Sequence, residues 1–132
     1  MLGDANASPM LPVKDLEKAE RFYEDILGLR RVHEEPGVVA TYRSGATTLN
    51  VYRSEFAGTN KGTAALWEVD DVDGAVKDLK TKGVTFEHYD KMPGLKRDGD
   101  VHRADGFDVA WFKDPSGNIL SIQTRKAGSR DN

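Results

Sequence analysis

Hydrophobic positions along the chain form two patterns, and both patterns occur twice in the same order. A short apolar segment, Met10–Val13, precedes a stretch where Leu16, Ala19, Phe22, Tyr23 and Ile26 recur at helical spacing. A second apolar segment, Ala64–Val69, precedes Val72, Ala75, Val76 and Leu79 at that same spacing. Asp15 and Asp71 stand just ahead of the two helical stretches, where a carboxylate can accept the orphan N–H groups of a first turn. Gly28 and Gly83 follow the last apolar positions, where a residue without Cβ most easily ends a helix in the left-handed conformation. Aligning Asp15 with Asp71, an offset of 56 residues, also aligns Val13 with Val69, Leu16 with Val72 and Ala19 with Ala75. One deletion then brings Gly28 onto Gly83.

Beyond each helix the pattern shortens to strands. The first copy gives Leu29–His33, Val38–Tyr42 and Thr47–Tyr52, broken by Glu-Pro-Gly and Ser-Gly turns. The second gives Val84–His88, Asp108–Phe112 and Ile119–Gln123, the last after the turn Asp114-Pro115-Ser116-Gly117-Asn118. Each copy therefore reads β-α-β-β-β, with module one at about 8–53 and module two at about 62–124 of a single domain. Module two carries an insertion at about 90–106, rich in Gly, Lys and Asp, which reads as a long loop and a candidate lid. The ends, 1–6 and 125–132, are polar and aperiodic and are expected to fray.

Composition narrows the function classes. The 132 residues include no cysteine, which excludes disulfides, Cys-ligated zinc, iron–sulfur clusters and a thiol nucleophile. Nineteen basic and 22 acidic side chains are interspersed, so no basic footprint for nucleic acid is present. No apolar run approaches a membrane span, and the N-terminus lacks the order of a signal peptide; the expectation is a cytoplasmic protein with no membrane partner.

The segments LPVKDLEKAERFYEDILGL at 11–29, ALWEVDDVDGAVKDLKTKGV at 65–84 and AWFKDPSGNIL at 110–120 carry a resemblance. With the strands between them, the chain resembles the vicinal oxygen chelate superfamily over about residues 8–124, the family of glyoxalase I, extradiol dioxygenases and bleomycin-type resistance proteins. The resemblance implies an α+β fold of two tandem βαβββ modules, the glyoxalase/bleomycin-resistance fold, forming a curved mixed sheet with a concave ligand cup. It also implies a homodimer.

Enzymes of that family hold a divalent metal with four side chains from the first and last strands of each module. Carried onto this chain, those places hold Ser8, Asn50, Ala64 and Ser121. None is a carboxylate or imidazole, and a catalytic divalent ion needs about three such ligands. The residues on either side are equally poor ligands, so no metal and no cofactor is expected.

The remaining candidates for chemistry are few. His33, His88 and His102 show no paired ligand spacing. His102 stands out because the insertion that carries it could fold over the cup. Glu68 shares a strand face with Ala64 by period-two alternation, which makes it a candidate general base or a rim charge. No serine has a GxSxG setting, and the glycines form no phosphate-binding order.

Alternation then assigns the cup. Ser8, Met10 and Pro12 face it, with Thr48, Asn50 and Tyr52; Leu11 and Val13 face the helix. Ala64, Leu66, Glu68, Ile119 and Ser121 face it from module two, while the register of Trp111 stays open and Trp67 points to the helix layer. A lining of small, apolar and hydroxyl-bearing side chains suits an organic molecule held by shape and a few hydrogen bonds. The leading reading is a metal-free binder of a small organic molecule, with drug sequestration as its most concrete role. The alternative is a lyase, isomerase or dioxygenase-type enzyme using non-standard residues such as Glu68 or His102.

Overall fold

The computed structural model describes residues 1–125, and the chain divides into two compact units. Unit one comprises Met1–Ala64 with Asp114–Asn118; unit two comprises Ala65–Lys113 and, of the described residues beyond the turn, 119–125. The DPSGN turn, read from sequence as part of module two, thus belongs with unit one. Of the C-terminal stretch expected to fray, residues 126–132 lie outside the described residues. At the N-terminus a single exposed turn of 3-10 helix forms at Leu2–Asp4.

Unit one contains β1 (Met10–Val13), α1 (Leu16–Arg21), β2 (Arg30–Glu35), β3 (Val39–Ser44) and β4 (Thr47–Arg53). Its sheet runs β1-β4-β3-β2, with β1 parallel to β4 and the other pairs antiparallel. Parallel neighbours need a crossover. Here α1 and the two strands after it supply one. The alternation read from the sequence is the alternation observed. Leu11, Val13, Ala40, Tyr42, Leu49 and Val51 are buried on one face, and Leu16, Ala19 and Phe22 join the same core.

Asp15 caps α1 by accepting the Lys18 backbone N–H at 3.1 Å. The helix does not continue to Gly28 in α geometry, as its periodicity predicts. From Phe22 to Ile26 it widens to a π turn, in which the Leu27 N–H donates to the Phe22 carbonyl. Widening turns both Phe22 and Tyr23 inward, at 6% and 0% exposure. The Tyr23 hydroxyl then donates to Asp114 Oδ2 at 2.7 Å.

Unit two contains nearly all of β5 (Thr63–Val69), then α2 (Val72–Thr81), β6 (Phe86–Glu87), β7 (Lys96–Asp98), β8 (Val101–Ala104), β9 (Phe107–Lys113) and β10 (Ile119–Thr124). Its sheet runs β5-β10-β9-β8-β7, and β6 also pairs with β9. Asp71 caps α2 through the Gly74 N–H at 3.0 Å, and Val72, Val76 and Leu79 form its buried stripe. Each such side chain contributes about 1.5–3 kcal/mol by leaving water.

The insertion at 90–106 is not a loop throughout: it holds the hairpin β7–β8. Asp98 pairs with Val101 across a two-residue turn, with Gly99 at φ 65°, and Ala104 pairs with Phe107 across Asp105-Gly106. The two turn pairs are Gly99-Asp100 and Asp105-Gly106, both short-range hairpin signals that outweigh the polar composition. The two helices and ten strands of the described residues give the α+β class expected.

Candidate functional site

The face of the unit-one sheet opposite its buried core carries the residues assigned to the cup. Met10 lies opposite Asn50 and Pro12 opposite Tyr52 on the parallel ladder, while Thr41 lies opposite Asn50 on the antiparallel one. Met10 is half exposed, and Thr48, Asn50 and Tyr52 are intermediate. Ser8 Oγ lies 3.4 Å from Thr48 Oγ1, and the Thr41 hydroxyl donates to Asn50 Oδ1 at 2.6 Å. The structure thus brings Ser8, Met10, Thr48, Asn50 and Tyr52 onto one surface. The Asn50 carbonyl oxygen there is already engaged by Thr41.

In unit two the ladder settles Trp111. It pairs with Ser121 on one side and Glu87 on the other, so these three share a face. His102 pairs with Val109, two residues before Trp111, and joins them. The opposite face of β9 and β10 holds Ala110, Phe112, Leu120 and Ile122, buried against α2, with Phe86 packed on Phe112. Ser121 is buried at 2% exposure. Along β5, Leu66 is exposed and Glu68 half-buried, and Ala64 stands in the part of β5 grouped with unit one.

His102 sits on β8, not in a lid loop, and its ring is buried. Its Nε2 accepts the Tyr89 backbone N–H at 2.9 Å, which places the ring proton on Nδ1. Among the described residues, Nδ1 is the buried side-chain polar atom without a hydrogen bond of ordinary geometry. The Val109 backbone lies close enough to favour the protonated ring, but burial is the larger influence and holds His102 below the usual imidazole range.

Around the imidazole stands an aromatic cluster that the sequence did not announce. Trp111 meets His102 edge-to-face at 4.9 Å and Tyr89 edge-to-face at 5.1 Å, while Tyr89 lies 6.1 Å from His102. Tyr89 and Trp111, with planes at 81°, form a two-walled corner. Burial, and then the Glu87 carboxylate, push the Tyr89 hydroxyl above the usual tyrosine range, so it stays a neutral donor. Lys113 lies 3.5 Å from Glu87 and balances its charge. The available signal was Tyr89 in FEHYD, one residue beyond the expected strand.

A model of the Glyoxalase/Bleomycin resistance protein/Dioxygenase superfamily matches residues 7–122. The chain belongs to this superfamily. Among solved structures, it is similar to a lactoylglutathione lyase from Agrobacterium tumefaciens, with 22% identity, a TM-score of 0.70, and 96% and 97% of the two chains covered. It is similar to a bleomycin resistance determinant encoded on the transposon Tn5 at 20% identity and a TM-score of 0.67, covering 92% and 98%. An antibiotic-binding protein from Streptomyces sp. CB03234 aligns at 22% identity with a TM-score of 0.64, covering 93% and 98%. No curated protein sequence matches the chain. At these identities the structural likenesses establish the fold.

The superfamily's metal chemistry calls for carboxylate or imidazole ligands. Ser8, Asn50, Ala64 and Ser121 supply no carboxylate and no imidazole, Ser121 is buried, and Asn50 is engaged by Thr41. No group of three or more His, Cys, Asp or Glu among the described residues is placed to hold a metal ion. These donors do not fit a catalytic divalent ion. No described helix is long and apolar enough to cross a membrane.

Proposed function

We propose that this superfamily member binds a planar organic molecule and holds it without chemistry, by stacking and hydrogen bonding, in the manner of a sequestering protein. The observation that carries the reading is the Tyr89–Trp111 corner, two half-buried rings on the face of the unit-two sheet turned away from α2, beside side chains that lack a metal-ligand set. An aromatic pair at right angles offers a flat ligand one surface to stack on and a second to abut. The superfamily relatives include a bleomycin-binding protein complexed with bleomycin, which supports a small organic ligand as the class. On this reading Ser8, Met10, Thr48, Asn50 and Tyr52 form a ligand-facing surface of unit one, and Ala64, Leu66, Glu68 and Ser121 are the ligand-facing positions of β5 and β10. The protein acts as a homodimer.

A thermal-shift screen of aromatic natural products and antibiotics tests the proposal, with the mass of each stabilising compound followed afterwards. Stabilisation with an unchanged ligand mass, lost in Trp111→Ala with an affinity decrease of about 1–3 kcal/mol, is expected. A new product mass formed by the wild type would replace the binder with an enzyme.

A further inference from the structure

At the head of the irregular segment leading to β7, the Tyr89 backbone N–H donates to His102 Nε2 at 2.9 Å. An N–H can donate to an imidazole nitrogen only while that nitrogen keeps its lone pair; protonation would set two N–H groups against each other. Tyr89 follows the two-residue strand β6, residues 90–95 after it form no strand or helix, and its carbonyl accepts the Met92 N–H at 3.3 Å within that turn. The Tyr89 ring is one wall of the corner, and the His102 ring itself rests against the other wall, Trp111.

We propose that His102 is a positioning residue: its unprotonated Nε2 latches Tyr89 into the edge-to-face contact with Trp111, and protonation releases Tyr89 and opens the corner. The consequence for ligand binding rests on the function proposed above, whereas the latch itself does not. The charged groups around the ring divide. Asp90 favours protonation, while His88 and Arg97 oppose it, as does burial. Arg97 is paired with Asp90 at 2.5 Å and His88 with Asp100 at 2.8 Å, so their influence on His102 is tempered. Glu87, beside Tyr89, has Lys113 at 3.5 Å. Burial leaves the ring neutral at pH 7, and acid is needed to break the latch.

The test begins without ligand. In ¹⁵N-labelled full-length protein, the Tyr89 amide exchange rate, corrected for its intrinsic pH dependence, and the Trp111 indole N–H shift are followed from about pH 7.5 to 5. The latch predicts that Tyr89 protection falls by about tenfold and that the indole shift moves in the same titration. His88→Gln should keep this behaviour. His102→Gln should abolish it, because its amide oxygen can accept the Tyr89 N–H and does not titrate. Protection of Tyr89 that is constant across the range, or a titration that survives in His102→Gln, overturns the proposal. Imidazole nitrogen shifts of the wild type give a check needing no variant: the Nδ1–H tautomer at neutral pH supports the latch, and the Nε2–H tautomer overturns it. A second arm titrates anthracene-2-sulfonate by tryptophan fluorescence. Its affinity should fall about fivefold over the same range in the wild type and give a flat profile in His102→Gln. A latch that titrates while probe affinity stays constant supports the latch and overturns the corner as the ligand site.

Discussion

Replacing Tyr23 by Phe removes one atom from the centre of unit one and leaves the packing in place. The ring is fully buried, stacks with Tyr42 at 6.1 Å and meets Phe22 edge-to-face at 5.2 Å, so Phe fits the same space. What is lost is the 2.7 Å bond from the hydroxyl to Asp114 Oδ2. That buried carboxylate also receives the Ser116 and Asn118 backbone N–H groups on Oδ1 and the Asn118 side chain on Oδ2, each at 2.8–2.9 Å. Asn118 in turn donates to the Pro12 carbonyl at 2.7 Å, so the cluster ties the DPSGN turn to β1. A hydrogen bond to a charged acceptor contributes about 1.5–3 kcal/mol, and Oδ2 keeps one donor, so a loss of about 2 kcal/mol is expected. In a domain of this size that lowers Tm by about 6–10 °C.

The pH dependence carries the same signature. Burial first, and then the Asp114 charge, push the Tyr23 ionisation far above the usual tyrosine range. A group whose folded pKa is raised gives stability that is complete below its unfolded pKa, about 10 for tyrosine, and is lost as the pH rises beyond it. The deficit of Tyr23→Phe should therefore be constant from neutral pH to about 9.5 and shrink above it. Urea denaturation followed by circular dichroism at stepped pH, with Asp114→Asn and the double variant completing a cycle, measures both effects. A deficit below about 0.5 kcal/mol, or one that grows above pH 10, would refute the reasoning.

Gly58→Ala should cost about 2 kcal/mol or more, read as a lower urea midpoint at unchanged slope, because its φ is +79° and an added Cβ would lie 2.5 Å from the Ser116 carbonyl oxygen. A shift under about 0.5 kcal/mol would show that the turn gives way. Millimolar Ni²⁺, Zn²⁺ or Mn²⁺ should leave Tm within about 1 °C of its value in chelator, since the four inherited ligand places lack donors; stabilisation lost on mutating them would contradict this. Light scattering at micromolar concentration should give about twice the 14.6 kDa chain mass, as β2 and β7 end their sheets as largely exposed edge strands that favour a partner, and a monomer mass would count against it.

The local code in the sequence was sufficient for both capped helices and most of the repeated strands. Caps at Asp15 and Asp71, apolar stripes at helical spacing and two-residue alternation all act between near neighbours, so the residues display them directly. The same alternation put Leu11 and Val13 in the core and Met10, Thr48, Asn50 and Tyr52 on the open face. The four metal places, which the family resemblance located, hold no carboxylate or imidazole, and that concerns residue identity alone. Other features depended on pairing across the chain. The register of β9 against β10 and β8 decided that Trp111 shares a face with Ser121 and His102, and no local pattern contains a register. Composition concealed the β7–β8 hairpin, since Gly and Asp serve a two-residue turn as well as a loop. His102 became a buried, neutral latch partner only because the hairpin folds it beside Tyr89 and Trp111, which burial and one backbone N–H from thirteen residues away bring about. The π turn at Phe22 likewise answers to a distant group: the helix widens where Tyr23 reaches Asp114, 91 residues on in the chain.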